Sequence, residues 1–425
     1  MPRADFKASK DFAAAMTAAD PLAIYRQRFH IPQVPGGGDS VYLCGHSLGL
    51  QPKAAAKYVE QELQDWAHLG VDAHLHARNP WLAYHELLTK PLARLVGALP
   101  HEVVAMNSLT VNLHLMMVSF YRPTPQRYKI LVEANAFPSD QYAVKSQIRY
   151  HGYDPAASLL EIAPGPGETS VRTEEIEALI DAEGERIALI MLGGVNYYSG
   201  QAFEFSRIVR AGHAKGCVVG FDVAHAAGNL RLQLHDSDAD FAVWCSYKYL
   251  NGGPGSIAGC FVHERHAHDS QLPRFAGWWG HDKESRFRMG PDFRAIPGAE
   301  GWQLSNPSIL SAAALRASLE LFDEAGIERL RAKSELLTGY LEFLLDQQRS
   351  ARFSIITPRD PLQRGAQLSL RISRNGRAIC DQLAEQGVIC DWREPDIMRV
   401  APDPLYTSLS DVYAFAEKFA AAHGE

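Results

Sequence analysis

The feature that most constrains this chain is a series of short apolar runs, at 128–133, 158–162, 187–192, 217–221, 240–245 and 257–262, separated by helical patterns. Several runs are apolar on both faces, which is the pattern of strands buried within a mostly parallel sheet. The intervening stretches 139–150, 173–182 and 205–215 read as helices. Thr173 with Glu174, Glu175 and Glu177 sets acids in a first turn, where the helix dipole favours them. Strand–helix alternation of this kind predicts a doubly wound α/β domain. Further helices are expected at 52–69, 81–96, 111–121, 309–322, 327–348 and 378–386, and further strands at 367–372, 388–391 and 397–400. The chain therefore divides into a large domain at 51–310 and a smaller α+β domain at 311–425, to which the segment 1–50 contributes.

Composition excludes several partners. The 425 residues carry 42 Lys+Arg against 49 Asp+Glu, a formal net charge of −7, with no basic run to neutralise phosphates, so no nucleic acid is expected. No apolar run approaches the roughly 20 residues of a membrane helix, so no membrane is expected either. The N-terminal stretch MPRADFKASKDFAAAM has early acids and no apolar segment of the kind a secretory signal needs. Six scattered cysteines (Cys44, Cys217, Cys245, Cys260, Cys380 and Cys390) form no CxxC pair, which points to a reduced, cytoplasmic protein.

No GxxxxGK[ST] phosphate loop, GxGxxG turn or GxSxG elbow is present. His263, His266 and His268 suggest a metal, but Glu264, Arg265 and Asp269 intervene. The segment reads as a solvated strand exit, and no metal is expected.

The informative stretch is FDVAHAAGNL followed by DFAVWCSYKYLNGGPG. Asp222 ends one apolar run, His225 follows three residues on, and Lys248 comes just after the next run, 26 residues beyond Asp222. Ligands of open α/β sheets bind outside the carboxyl ends of strands. A lysine and an acid at one such edge suit pyridoxal phosphate chemistry: the amine forms a Schiff base, and the carboxylate keeps the pyridine nitrogen protonated. The lysine must lose its proton to attack, so partial burial helps it. Taken singly, either residue reads as a surface lysine or a turn-forming aspartate.

The segment DVAH, then SYKYLNGG, is similar to the kynureninase family of the fold type I, aminotransferase-like pyridoxal phosphate enzymes. Further blocks match in chain order: GHSLGLQP at 45–52, FPSD at 137–140, GVNYYSGQ at 194–201, GWWGH at 277–281, SNP at 305–307 and RVAP at 399–402. The resemblance implies hydrolysis of L-kynurenine, with 3-hydroxykynurenine as a further substrate, to anthranilate and L-alanine, in tryptophan degradation and pyridine-nucleotide precursor supply. It implies pyridoxal 5′-phosphate as cofactor, a small amino-acid substrate and a homodimer with shared sites.

It also implies residue roles. Lys248 carries the cofactor, Asp222 pairs with its ring nitrogen and His225 lines the pocket. Phe137, which alone would read as core, stacks on the ring, and Pro138 and Ser139 adjoin it. Asp140, otherwise a helix cap, contacts the ring region. Leu109 and Thr110 bind the phosphate, and a helix start at Thr110 suits an anion independently. Trp278 and Asn306, otherwise core and cap, come from the neighbouring subunit. Tyr247 binds phosphate and acts as acid–base, its pKa expected to be lowered by the adjacent Lys248. Arg399 clamps the substrate α-carboxylate, and His74 and Ser47 contact substrate. Two positions depart from the family pattern: His46 stands where Asn is expected, and Gly193 where some relatives place Ser. A cysteine desulfurase-like lyase or an aminotransferase of the same fold is the alternative. A desulfurase needs a mobile nucleophilic cysteine, and none lies in a Gly/Ser-rich loop. A non-enzymatic scaffold would not need to keep both Lys248 and Asp222.

Overall fold

The computed structural model describes residues 5–424, so the first four residues of the N-terminal stretch lie outside the described residues. A short strand β1 (Val41–Tyr42) precedes the strands of the main sheet, which are β2 (Val103–Ala105), β3 (Lys129–Glu133), β4 (Leu159–Ile162), β5 (Ile187–Gly193), β6 (Val218–Asp222), β7 (Phe241–Trp244) and β8 (Gly259–Val262). Their order is β2-β8-β7-β6-β5-β3-β4. Pairing is parallel from β7 to β4 and antiparallel at the β8 and β2 edge. The apolar runs are buried along nearly their whole length in β5 and β7, as a sheet covered on both faces requires.

The chain runs outward from β3 to β4, then returns past β3 to build β5, β6 and β7 in the opposite direction. That reversal opens a crevice beyond the carboxyl ends of β3 and β5. Glu133, Gly193 and Asp222 are the terminal residues of β3, β5 and β6, and Gly193 pairs directly with Asp222.

Five more strands follow: β9 (Phe353–Ile355), β10 (Leu368–Ile372), β11 (Val388–Ile389), β12 (Asp391–Arg393) and β13 (Ile397–Val400). An antiparallel sheet of order β12-β13-β10-β9 forms there, while β11 pairs in parallel with β1. Phe6, Ala13, Val41 and Leu43 share one apolar core with Leu337, Leu341, Leu368, Val412 and Phe419.

Several sequence expectations change at the ends of elements. The strand expected at 388–391 is two strands, because the chain bends at Cys390 between β11 and β12. The helix expected over 81–96 begins as a 3₁₀ turn at Trp81–Ala83 and restarts as Glu86–Val96. Strands β2 and β9 have three residues each, too few to leave a periodic signal.

Candidate active site

Beyond the ends of β3, β5 and β6 lies a cavity of about 140 Å³. Leu109, Thr110, Phe137, Ser139, Asp140, Asp222, His225, Tyr247 and Lys248 all line it. Nine of the residues expected from sequence thus meet in one place. Larger grooves, of about 280, 590, 600 and 880 Å³, lie elsewhere on the surface, away from the ends of β3, β5 and β6.

Two helices begin at the cavity. Leu109–Phe120 starts after Ser108 and Pro138–Tyr150 after Phe137, and neither start has a side-chain cap. Uncapped first-turn N–H groups make an anion site. Thr110 Oγ1 and Ser139 Oγ, one from each helix, lie 2.9 Å apart and join the two starts. Pro138 occupies the first helical position, where a missing N–H costs nothing.

On the opposite wall, the Asp222 Oδ1 accepts the Ala224 N–H at 2.8 Å. Burial raises the pKa of both Asp140 and Asp222, and the nearby Asp222 charge raises Asp140 further, whereas Lys248 lowers Asp222. The proton therefore resides on Asp140, and Asp222 is the carboxylate left to face a cation. His225 is buried, and its Nδ1 has no hydrogen-bond partner among the described residues. Burial and the charges of Lys248 and Arg399 hold its pKa well below the ordinary value, so the ring is neutral.

Lys248 Nζ lies 5.8 Å from the Phe137 ring centroid, and Phe137 is braced edge-on by Tyr197 at 5.3 Å. Phe137 is 43% exposed and presents an aromatic face toward the cavity. Burial, with Cys245 alongside, pushes the Tyr247 hydroxyl up. This corrects the expectation that Lys248 would lower it, and keeps Tyr247 a proton donor. Gly49 donates its N–H to Tyr247 O at 2.8 Å, and a Cβ there would lie 2.3 Å from Lys248 O. Only glycine lets the GHSLGLQP segment approach the lysine turn so closely.

Arg399 is buried behind the cavity wall. Its Nε donates to Asp391 Oδ1 at 2.7 Å, Nη2 donates to Asp391 Oδ2, and Nη1 donates to Tyr197 O at 2.8 Å. Of the five guanidinium N–H groups, one on each Nη is left for a further acceptor.

Other expected residues do not line this cavity. His74 packs edge-on against Trp81 at 5.5 Å, and Ser47 is half-buried in a turn closed by its N–H on Cys44 O. Trp278 is 44% exposed and leans on Trp279 and Phe287, and Asn306 is exposed.

Sequence reading missed Glu133, Asn196 and Tyr197. Glu133 Oε1 accepts the Gly193 N–H at 2.6 Å and Oε2 accepts Asn196 Nδ2 at 2.5 Å. It ends β3 as Asp222 ends β6, so the same strand-end rule would have found it. His263 is buried, not solvated as expected, and stacks on His235. Glu102, His235 and His263 come close together, but both Glu102 oxygens already accept backbone N–H groups, from Leu99 and Glu264.

The site fits the group that the resemblance implies. Asp222 would face a ring cation, the two helix starts a phosphate and Phe137 a ring, and Lys248 lines the same cavity.

Comparison with known proteins agrees. A family model described as the kynureninase C-terminal domain matches residues 330–419. The kynureninase of Koribacter versatilis is 65% identical over 99% of both chains, and that of Myxococcus xanthus 63% identical over 97% of both. Among solved structures, C-DES with glycine covalently linked to its PLP cofactor superposes with a TM-score of 0.79 at 17% identity, covering 93% of this chain and 98% of that one. A cysteine desulfurase from Escherichia coli superposes with 0.77 at 18% identity, covering 95% and 98%. These structures establish the fold, which is that of the fold type I pyridoxal phosphate enzymes. With such identity over nearly its whole length, the chain belongs to the kynureninase family.

Proposed function

We propose that the chain hydrolyses L-kynurenine to anthranilate and L-alanine, with pyridoxal 5′-phosphate held on Lys248. The meeting of Lys248, Asp222 and two helix starts in one cavity carries this reading. Bound there, the cofactor supplies an electron sink that protein side chains lack. Asp222, ionised beside a protonated Asp140, holds the ring nitrogen's proton. Thr110, Ser139 and the amides of their helix starts hold the phosphate. With its amine free, Lys248 would take the proton from the substrate's α-carbon. Arg399 offers its two free N–H groups to the α-carboxylate, and Tyr247, kept protonated by burial, gives a proton at the substrate's carbonyl oxygen.

The same reading places the reaction in tryptophan degradation and pyridine-nucleotide precursor supply, with 3-hydroxykynurenine as a second substrate. Six free cysteines suit a reducing cytoplasm, and among the described residues no helix is long and apolar enough to cross a membrane. The exposed positions of Trp278 and Asn306, outside their own chain's cavity, support a homodimer in which each completes the partner's site.

Anthranilate fluorescence from L-kynurenine, measured beside sulfide release from L-cysteine, tests the proposal. Anthranilate without sulfide is expected; sulfide without anthranilate would favour a desulfurase. Five of the six cysteines are buried, which disfavours that second outcome.

A further inference from the structure

Glu133 is a buried carboxylate at the end of β3 that lines the cavity and has no part in the chemistry assigned above. Both of its oxygens accept N–H groups from the chain leaving β5: Oε1 from Gly193 N at 2.6 Å and Oε2 from Asn196 Nδ2 at 2.5 Å. Burial raises its pKa, and these two donors oppose the rise. Asn196 closes a turn around itself. Its Oδ1 accepts the N–H groups of Tyr198 at 3.0 Å and Ser199 at 2.8 Å, the pattern of an Asx turn.

The same turn is docked on the antiparallel sheet. Tyr197 O accepts from Arg399 Nη1 at 2.8 Å and Gln367 Nε2 at 3.0 Å, and Tyr198 O accepts from Ser369 Oγ at 2.6 Å. Ser199 O accepts from Thr357 Oγ1 at 2.5 Å, and the Tyr198 hydroxyl donates to Asp396 Oδ1 at 3.1 Å. These partners all lie between 357 and 399, on or beside β9, β10 and β13. The base of the turn is tied to the main sheet by Gly194 N, which donates to Asp222 O at 2.7 Å. Beyond that base, at residues 196–199, Glu133 supplies the one hydrogen bond from the main sheet among the described residues.

We propose that the Glu133–Asn196 hydrogen bond is a positioning device for substrate binding. It fixes the turn to the cavity, and the turn, through Tyr197 O, sets where Arg399 stands when it meets the substrate α-carboxylate. The bonds from the antiparallel sheet hold turn and arginine together but leave the two free to shift as one relative to the cavity. A bond from the end of β3 removes that freedom, because β3 belongs to the sheet that carries Asp222.

The inference rests on Arg399 as the carboxylate ligand, so Arg399 is tested beside it in the full-length holoenzyme. Glu133→Gln keeps the shape and loses one acceptor: whichever way the amide lies, it turns an N–H toward Gly193 N or Asn196 Nδ2. KM for L-kynurenine should rise about tenfold, with kcat falling less than about threefold. Binding of L-alanine, read without turnover from the visible absorbance of the bound cofactor, should weaken by about the same factor. A loss of folded protein alone would lower kcat and leave both of these values in place. Asn196→Asp alone sets a second carboxylate against Glu133 and should also raise KM. Combining Glu133→Gln with Asn196→Asp exchanges donor and acceptor, and the other oxygen of the introduced acid still accepts from Tyr198 and Ser199. In that double variant KM should return to within about threefold of the parent.

If Arg399→Lys raises KM while Glu133→Gln does not, the role of Glu133 is overturned. If Arg399→Lys leaves KM unchanged, the reading beneath it is overturned. A rise that the double variant keeps, or that L-alanine binding does not follow, also overturns the proposal. Should Glu133→Gln fail to fold, Glu133→Asp, which keeps the charge and falls one carbon short of Asn196, takes its place. The same rise in KM is expected there, and an unchanged KM overturns the proposal.

Discussion

Asp140 and Asp222 stand within hydrogen-bonding reach of one another at the floor of the cavity, and burial allows only one of them to ionise. Their difference lies in what each faces: Lys248 favours charge on Asp222, while Asp222 itself opposes charge on Asp140. Removing the charge at Asp222 should therefore cost far more than removing it at Asp140. Asp222→Asn is expected to lower kcat by about a hundredfold or more, and Asp140→Asn, which mimics the protonated acid, by about tenfold or less. Steady-state kinetics on the two variants decides it; a larger loss in Asp140→Asn would reverse the assignment.

The two helix starts joined by Thr110 and Ser139 make a second, separable prediction. Thr110→Ala removes a hydroxyl from an anion site and leaves the helix intact. Cofactor affinity should fall about tenfold, read from the release of bound cofactor on dilution, with the melting temperature of the cofactor-free protein unchanged. Undiminished retention would move the phosphate elsewhere.

Much of this was legible in the sequence because burial leaves long apolar runs. The runs ending at Phe221 and Cys245 located the strands before Asp222 and Lys248, and the helix start at Thr110 was marked by the apolar segment that follows it. What stayed hidden depends on contacts between distant residues. Asn196 and Tyr197 reach the cavity through a turn whose carbonyl, Tyr197 O, is fixed by Arg399 about two hundred positions later. His46 showed only as a departure from Asn, since nothing near it in the chain announces Asp391, whose Oδ1 lies 3.2 Å from its Nε2. Likewise β2 and β9 exist because neighbours pair with them, not because three residues carry a period of their own.

Asp403 gives a pH signature separate from catalysis. Its carboxyl is fully buried, and burial pushes its pKa up to about 7. The folded chain holds this proton more tightly than the unfolded chain does. The stability gained is complete below the unfolded value near 4 and is lost as pH rises through about 7. Asp403→Asn removes that loss. Its melting temperature, relative to the parent, should be about 3 °C higher at pH 8 than at pH 5. An equal offset at both pH values would show that Asp403 is ionised throughout.

A shared site can be tested by mixing. If Trp278 serves the neighbouring subunit's cavity, Trp278→Ala and Lys248→Ala should each be nearly inactive alone. After co-refolding in equal amounts, random pairing leaves one intact site in half the dimers, so activity should return to about a quarter of the parent's. No recovery from a mixture shown to contain mixed dimers would place Trp278 in its own chain's site or in the core.

The central claim is that Lys248 carries the cofactor through which kynurenine is cleaved. Its most direct test is anthranilate release from L-kynurenine by cofactor-loaded Lys248→Ala beside the parent, with the visible absorbance of the bound cofactor recorded in both. The account predicts a parent that absorbs and turns over, and a variant that has lost both the Schiff-base absorbance and measurable anthranilate. Full turnover by Lys248→Ala would contradict it.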